Sequence, residues 1–328
     1  MQRRIFIKTI TASLAVPALV SCSGKGKHYV STLQMAHNSS SLDSLIAVEG
    51  LEKPVTVLQI SDSHITCEDE RGKEFEQYSQ RMAGAYAQVK HFRTLEPTTP
   101  YECFVELLQK AKDEKVDMIA LTGDILNYPA ELAVETVGRM VRDTGIPHLF
   151  VAGNHDWHYE GMEGSSDSLR REWCERRLKP LYTGNMFFSS TMVGGINMIT
   201  IDNSTFQVNE EQLAFYRQQC NRPDPIALFM HIPLYMPTMG ICCGHPDWGA
   251  ATDRNYEIER RQRWPESGNS ASTVEFVQQV MKTDRLAGVF TGHRHQSPTV
   301  VYRDKVQYLA GPALRGEYRL IKFVPFLA

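Results

Sequence analysis

Five short blocks rich in Asp, His and Asn each follow directly on an apolar run of the chain. Runs of about four to eight apolar residues bounded by turn residues are typical of buried strands. In open α/β sheets, ligands bind in the crevice at the carboxyl ends of the strands. The sequence therefore predicts an α/β fold in which several strands bring nitrogen and oxygen donors to one edge, as a polynuclear metal site requires. The blocks are Asp62-Ser63-His64, Gly123-Asp124, Gly153-Asn154-His155-Asp156, His231 and Gly292-His293-Arg294-His295.

The composition is that of an ordinary soluble globular protein. The 328 residues allow one large domain or two modest ones, and the formal net charge is −3. The chain has no basic stripe and no basic patch interleaved with aromatic residues, so we expect no sequence-specific nucleic-acid binding. Beyond roughly the first twenty residues, no apolar run is long enough to span a bilayer.

Residues 1–22 have the layout of an export signal, with a basic start, an apolar middle and small residues before Cys22. The stretch Arg3-Arg4-Ile5-Phe6-Ile7-Lys8 resembles a twin-arginine signal, and Leu19-Val20-Ser21-Cys22 resembles a bacterial lipobox. We therefore expect an exported lipoprotein on the periplasmic or cell-surface side of a bacterial envelope, held to the membrane only by the lipid on Cys22. The alternatives are an uncleaved N-terminal anchor or a leader with an accidental cysteine. Residues 23–53 are interpreted as a tether and N-terminal extension.

The remaining cysteines do not suggest a disulfide framework. Their even number permits disulfides in an exported protein, but the spacing is irregular and a core of this size needs no staples. We expect buried free thiols at most of these positions. A structural zinc at Cys242, Cys243 and His245 is the weaker alternative, because such sites usually use four spaced ligands. The cysteines after Cys22 are Cys67, Cys103, Cys174, Cys220, Cys242 and Cys243.

Apolar recurrence at three and four residues predicts the helices, and two inserts interrupt their alternation with strands. The inserts, residues 66–100 and 233–268, begin at the predicted metal edge, so we interpret them as walls of the substrate pocket. The predicted helices are 75–92, 102–114, 130–142, 210–220 and 273–282. A strand pair is predicted over 191–201, and antiparallel strands that close the sheet are predicted over 299–306, 308–311 and 317–324.

Taken in order, the five blocks resemble the motifs of the calcineurin-like metallophosphoesterase superfamily, over roughly Val55 to Phe323. The resemblance implies a four-layer α/β/β/α sandwich of two mixed β-sheets flanked by helices, in a domain of residues 54–328. It also implies two divalent or trivalent metal ions (Fe, Mn or Zn), among which these ligands discriminate little. By position, Asp62, His64 and His295 would hold the first metal, Asn154, His231 and His293 the second, and Asp124 would bridge the two.

The same resemblance implies direct attack on phosphorus by a hydroxide that bridges both metals, without a covalent intermediate. His155 would protonate the leaving oxygen or bind phosphate charge. Asp156 is expected to orient its loop by hydrogen bonds. Pocket-lining roles are considered for Trp157, His158, His245 and Trp248, with ordinary packing as the alternative. Four arginines of the second insert could grip an anion, although a solvated charged loop is expected there: Arg254, Arg260, Arg261 and Arg263.

Departures from related enzymes narrow the subtype. Asn127 stands where purple acid phosphatases carry a tyrosine ligand, so an iron–tyrosine charge-transfer centre is not expected. The blocks look closest to the phosphodiesterase-type branch, which includes class III cyclic-nucleotide enzymes. We expect hydrolysis of a phosphodiester rather than a phosphomonoester, with a small molecule, nucleotide, lipid or glycan phosphate as substrate. The alternative is a non-catalytic metal-binding scaffold, or a ligand-binding lipoprotein, with the same fold.

Overall fold

Strands and helices alternate along most of the chain, as the hydrophobic pattern predicts. The structure, a computed structural model, describes residues 34–326 except Tyr235, Pro237, residues 240–268 and the side chain of Arg81. The helices are α1 (Glu76–Ala83), α2 (Pro100–Asp113), α3 (Glu131–Arg142), α4 (Ser166–Trp173), α5 (Glu210–Cys220) and α6 (Ala271–Lys282). The strands are β1 (Met35–Ser39), β2 (Asp43–Val48), β3 (Val55–Ile60), β4 (Val89–Lys90), β5 (Pro97–Thr98), β6 (Met118–Thr122), β7 (His148–Val151), β8 (Phe188–Val193), β9 (Ile196–Ile201), β10 (Ile226–Phe229), β11 (Leu286–Thr291), β12 (Thr299–Tyr302), β13 (Lys305–Leu309) and β14 (Arg319–Pro325).

Two mixed six-stranded sheets form the centre of the molecule. The first has the order β1-β2-β14-β3-β6-β7 and the second the order β12-β13-β11-β10-β9-β8. Strands β3, β6 and β7 run parallel in the first sheet, as do β9, β10, β11 and β13 in the second. The carboxyl ends of these parallel strands carry the five polar blocks.

Alternating side chains of the central strands face two different apolar layers. Val57 and Met118 point into the core between the two sheets, where they meet Phe229 and Phe290. Their strand neighbours point outward to helices α2 and α3, and α5 and α6 cover the outer face of the second sheet in the same way. Because both faces of each sheet are buried, the strands read as continuous apolar runs. The predicted four-layer α/β/β/α sandwich is confirmed.

Local signals explain where several helices begin. Thr99 caps α2 by accepting a hydrogen bond from the N–H of Glu102, whose carboxylate accepts one from the N–H of Thr99, and Pro100 occupies the first turn. Asn209 and Gln212 form the same reciprocal arrangement at α5. Four predicted helices agree with the structure within two residues at each end. The predictions 102–114, 130–142, 210–220 and 273–282 correspond to α2, α3, α5 and α6.

Two helix predictions differ from the structure. The helix predicted over 75–92 ends at Ala83 and is followed by Gly84, which has the poorest helix propensity after proline. The chain then forms the short β4–β5 ribbon, in which Val89 pairs with Thr98. Helix α4 was not predicted, because it buries only Leu169, Arg170 and Trp173 and so lacks a long apolar stripe.

The strand pairing near the two ends of the domain differs from the prediction. Residues 35–48, interpreted as part of a tether and extension, form β1 and β2, and β2 lies parallel to β14 in the first sheet. The strand pair predicted over 191–201 corresponds to β8 and β9. In the tail, β12 and β13 form an antiparallel hairpin, but β13 lies parallel to β11, and β14 belongs to the other sheet. Sheet assignment depends on long-range pairing, which local periodicity does not encode.

Several predictions fall on residues outside those described. They concern the predicted lipidation at Cys22, the pocket candidates His245 and Trp248, and the cysteines and arginines of residues 240–268. Among the residues that the structure describes, the free thiols Cys103 and Cys174 are buried, as expected, whereas the free thiols Cys67 and Cys220 are half-buried. Within the same residues, no helix combines the length and apolarity that crossing a bilayer requires.

Candidate metal centre

The loops that carry the predicted ligands have unusual backbone geometry. Nine non-glycine residues have a positive φ within the described residues, and five of them are predicted metal ligands. Left-handed backbone at such residues is uncommon and costs about 1–3 kcal/mol each, so it persists only where the surroundings over-determine it. Here it turns the side chains that follow β3, β6 and β11 back over the sheet edge. The five residues are Asp62 (φ 56°), His64 (46°), Asp124 (50°), His293 (68°) and His295 (49°).

These side chains converge into overlapping groups at the predicted edge. Ligand atoms of Asp62, His64 and His295 all lie within 4.8 Å of one another, as do those of Asp124, His231 and His293. The Nε2 atoms of His64 and His295 are 3.1 Å apart. Asp124 Oδ2 lies 3.2 Å from His231 Nε2 and 3.9 Å from His64 Nε2, so it stands between the two groups. The arrangement has the form of two adjacent cation sites that share one carboxylate.

Buried ligand atoms that lack a hydrogen-bond partner indicate whether this pocket fits metal ions. Buried polar groups normally have a hydrogen-bond partner. In the described part of the chain, buried Asn154 Oδ1 and His293 Nε2 make no hydrogen bond, and His231 Nε2 has the carboxylate of Asp124 beside it at 3.2 Å. The Nδ1–H of His231 donates to the carbonyl of Thr122 at 2.9 Å, which leaves the lone pair of Nε2 directed at the pocket. The donor set and its unpartnered atoms therefore fit a metal held by nitrogen and oxygen ligands.

The electrostatics of the pocket also favour a cation. Burial lowers the pKa of His231, but the charge of Asp124 outweighs it and raises the pKa to about 9. Burial and the neighbouring charge of His231 lower the pKa of His293 to about 3. Burial raises the pKa of Asp124, but the positive charges of His231 and His155 outweigh this and hold it well below its usual value. The carboxylate of Asp124 is thus held ionised and the imidazole of His293 neutral, which are forms that bind metal, whereas a metal bound at His231 would displace its proton.

Asp156 joins the loop after β7 to the loop after β6. Its carboxylate accepts hydrogen bonds from the N–H groups of Gly153 at 2.7 Å and of Asp124 and Leu126 at 2.8 Å. Burial and the charge of Asp124 raise the pKa of Asp156 to about 8, although its N–H donors act in the opposite direction. A cation that neutralised Asp124 would therefore favour the ionised form of Asp156. The predicted loop-orienting role matches this geometry.

The other predicted residues of this loop differ in their surroundings. The N–H of His155 donates to Asp124 Oδ1 at 2.8 Å, and its ring lies edge-on to His64 with the centroids 4.6 Å apart. His155 also lies within ligand distance of His64 and Asp124, so its place at the site is compatible with either an acid or a ligand. Trp157 is buried and donates to Ser204 Oγ at 2.8 Å, which is packing rather than the lining of a pocket. His158 is half-buried, and burial lowers its pKa.

A sixth loop at the same edge was missed. Asp202-Asn203-Ser204 follows the buried strand β9. The side-chain amide of Asn203 donates to the carbonyl of Ile232 at 2.8 Å and accepts from the N–H of Ile232 at 3.0 Å, so it fixes the residue next to His231. The signal was available, because this block has the same form as the others: polar residues directly after a buried apolar run.

Two aromatic residues beside the predicted ligands carried no sequence signal. Tyr86, in the first insert, lies against His64 with ring centroids 4.3 Å apart. Phe206 lies edge-on to His293 at 5.7 Å and has a positive φ of 61°. Burial and the charges of Asp124 and Asp62 raise the pKa of Tyr86 to about 12, so its phenol is protonated at neutral pH. Both side chains are half-buried.

Solved structures with this arrangement of sheets share the fold at low sequence identity. A dimetal phosphatase from Danio rerio aligns with a TM-score of 0.51 and 10% identity, covering 81% of this chain and 92% of its own. A purple acid phosphatase from yellow lupin (Lupinus luteus) seeds aligns with a TM-score of 0.50 and 12% identity, covering 87% of this chain and 48% of its own. These similarities concern the fold alone.

Sequence comparison finds relatives in two bacteria. A probable cyclic nucleotide phosphodiesterase from Fibrobacter succinogenes is 23% identical over 195 residues, 59% of this chain and 63% of the relative. Another from Psychrobacter arcticus is 23% identical over 197 residues, 58% of this chain and 60% of the relative. The match thus spans about three fifths of the length of each relative. The family model described as calcineurin-like phosphoesterase matches residues 55–297, a span that contains all five polar blocks. The chain belongs to the calcineurin-like phosphoesterase family.

Proposed function

We propose that the protein is a phosphodiesterase that uses two metal ions. The observation that supports this best is the pair of ligand groups around Asp124, because one carboxylate between two sets of histidines is the geometry of a bridged dinuclear site. Asp62, His64 and His295 would hold one ion, and Asn154, His231 and His293 the other. When bound, the two ions would lower the pKa of a water from about 15.7 towards about 7 and neutralise phosphate charge. Fe, Mn and Zn all suit these ligands.

The chain's own residues would position the substrate and move the proton. His155 lies beside His64, its backbone N–H donates to Asp124, and its Nδ1 lies 3.2 Å from the carbonyl oxygen of Asn127, an arrangement that would leave Nε2 available to the substrate. There it would donate a proton to the leaving oxygen, a role that suits imidazole near neutral pH. Asp156 and Asn203 would hold the ligand loops in place, and the strained backbone at Asp124 would keep its carboxylate between the two groups.

A diester substrate is the preferred form of this proposal. The two bacterial relatives are both named as probable cyclic nucleotide phosphodiesterases, which favours a nucleotide or related diester over a monoester. Their identity is low and the match covers only part of their length, so small-molecule, lipid and glycan phosphodiesters are also substrates to be tested. We further propose that the protein works outside the cytoplasm as a lipoprotein anchored through Cys22, on the basis of the N-terminal pattern of the sequence.

Metal analysis combined with paired substrates tests the activity. We expect about two metals per chain in the purified protein, and faster hydrolysis of bis-(p-nitrophenyl) phosphate than of p-nitrophenyl phosphate. Asp124→Asn should lose metal, whereas Asp167→Asn, at a surface carboxylate that is 59% exposed, should not. Preference for the monoester would redirect the proposal to a phosphatase. A chain that binds no metal even after reconstitution would overturn it.

Lipidation is tested separately. We expect the wild type to incorporate labelled palmitate and to fractionate with membranes, and Cys22→Ser to do neither. Export through the twin-arginine route predicts that Arg3→Lys combined with Arg4→Lys leaves the protein in the cytoplasm. A wild-type protein that carries no lipid would refute the anchoring proposal and leave the enzymatic one intact.

A further inference from the structure

We propose that Tyr86 is a specificity residue that stacks against a flat aromatic ring carried by the leaving group of the substrate. This proposal rests on the proposed phosphoesterase function, and it adds the chemical class of the group that departs. The residue lies between α1 and β4, in the first insert. It therefore belongs to a segment that a chain with the same metal ligands and a different insert would lack.

The position of the Tyr86 ring supports this role. Its centroid lies 4.3 Å from that of His64, with an angle of 33° between the ring planes. The ring of His295 is 5.9 Å away and that of His155 is 6.5 Å away. Tyr86 is thus next to a predicted ligand of the first metal and to the residue proposed to protonate the leaving oxygen. A leaving group positioned near His155 would therefore lie close to this ring.

The surroundings of Tyr86 differ from those of a core aromatic residue. Tyr159 and Trp173 pack against each other and against Phe75, and each is almost fully buried, with 0% and 1% exposure. Tyr86 is half-buried, and its ring contacts within the described residues are with the three site histidines. Part of the ring therefore remains open to a ligand. Aromatic pairs prefer offset or edge-to-face contact with centroids about 4.5–7 Å apart, which a planar group in the pocket can reach.

Phe206 provides a matched control. Its ring lies 5.7 Å from that of His293, on the side of the second predicted metal. It is half-buried like Tyr86, but its described ring contact is with His293 and not with His155. Substitution of either residue removes apolar surface from the pocket. Only substitution of Tyr86 would also remove contact with a leaving group near His155.

The first experiment measures ligand binding without turnover. Calorimetry of the metal-loaded full chain compares phenylphosphonate with methylphosphonate, which differ in the aromatic ring. We expect Tyr86→Leu to weaken phenylphosphonate binding about two- to twelvefold, the value of one aromatic contact, with methylphosphonate unchanged. Tyr86→Phe should retain the preference, because it keeps the ring, and Phe206→Leu should leave it unchanged. Metal content and melting temperature are measured for each variant to confirm that it is folded and loaded.

The second experiment measures leaving-group selectivity. Two methyl phosphodiesters are compared, one with a p-nitrophenyl and one with a hexafluoroisopropyl leaving group. The aryl-to-alkyl ratio of kcat/KM should fall in Tyr86→Leu by a similar factor and be restored in Tyr86→Phe, with the change mainly in KM. This readout separates stacking from a loss of the metal centre, which would lower both rates equally.

Several results would overturn the proposal. One is an unchanged phenyl-to-methyl ratio in Tyr86→Leu, and another is a fall of that ratio in Phe206→Leu instead. A visible phenolate band in the iron-loaded protein that Tyr86→Phe abolishes would make Tyr86 a ligand and not a stacking residue. Failure of the proposed function looks different, because the wild type would then hydrolyse neither diester while its phosphonate binding could still be measured.

Discussion

The carboxylate of Asp156 accepts a hydrogen bond from the backbone N–H of Asp124 at 2.8 Å, across 32 residues of sequence. The same carboxylate also accepts from Gly153 and Leu126. The loop that carries Asn154 is thereby fixed to the loop that carries the carboxylate of Asp124. Since both loops carry predicted ligands of one centre, their relative position would decide whether a metal is bound with the right geometry.

Asp156→Asn should destabilise the protein and weaken metal binding. The amide has only one oxygen, so at least one of the three N–H donors would face an NH₂ group. Hydrogen bonds to a charged group are worth about 1.5–3 kcal/mol each, so we expect the free energy of unfolding to fall by roughly 2–4 kcal/mol. Urea denaturation of the metal-free protein at about pH 9, where a carboxyl group with a pKa of about 8 is ionised, measures this. Asp284→Asn, at an exposed carboxylate, is the control and should change the free energy of unfolding by less than about 1 kcal/mol. Equal effects of the two substitutions would refute the loop-joining role.

Asn203→Ala should lower the affinity for the metal that His231 is proposed to hold. The substitution removes both hydrogen bonds to the backbone of Ile232 and leaves its buried N–H and C=O unpaired. Loss of a group that orients a ligand typically costs about 10–100-fold in metal affinity. Titration of the metal-free protein with Zn²⁺ should show one weakened and one nearly unchanged site. The exposed Asn221→Ala serves as control, and two sites weakened equally would contradict the assignment.

His155→Ala should reduce turnover and keep the metals. A positioned acid–base group contributes about 10²–10⁴-fold, so kcat should fall within that range. His158→Ala, three residues further along the loop, should change kcat little. Metal content decides between the two roles that the geometry allows, since His155 lies within ligand distance of His64 and Asp124. A loss of one metal from His155→Ala would make it a ligand, and unchanged turnover would remove it from the mechanism.

Gly153→Ala should displace Asp124. A methyl group at Gly153 would overlap the backbone N and the Oδ1 of Asp124, so either the carboxylate or the loop must shift. Overpacking of this kind costs about 1–3 kcal/mol, and the displaced carboxylate should reduce the number of bound metals. Gly84→Ala is the control, because a methyl group there meets no described atom within 4 Å and the backbone is helical. Metal analysis and the melting temperature measure both variants, and a Gly153→Ala protein with full metal content would contradict the prediction.

The polar blocks were readable from the sequence because each is a local signal. A buried parallel strand is an uninterrupted apolar run, and its carboxyl end is marked by the change to Asp, His or Asn. The same rule applied to β9 would have located Asn203. It could not have located Tyr86, which follows Gly84 in an insert without regular periodicity and reaches His64 only through the fold.

The sequence predicted the ends of helices and the sheet to which each strand belongs less well than it predicted the polar blocks. The helix predicted to continue to residue 92 ends at Ala83, because Gly84 and the pairing of β4 with β5 end it. The tether predicted over residues 23–53 includes β1 and β2, because its start is polar and contains Ser, Gly and Lys. The place of β2 in the sheet depends on β14, a partner almost three hundred residues away, and β1 then pairs with β2.

The sequence by itself determined the buried strands that end in polar blocks and the predicted donor residues, because apolar runs and side-chain chemistry are local properties of the chain. The four-layer class came from the resemblance of those blocks to the calcineurin-like family. Only the tertiary structure decided that Asp124 stands between two groups of histidines, that Asp156 and Asn203 fix the ligand loops, and that Tyr86 adjoins His155. These relationships join residues far apart in the sequence. They arise from the packing of strands and loops, which no local pattern specifies.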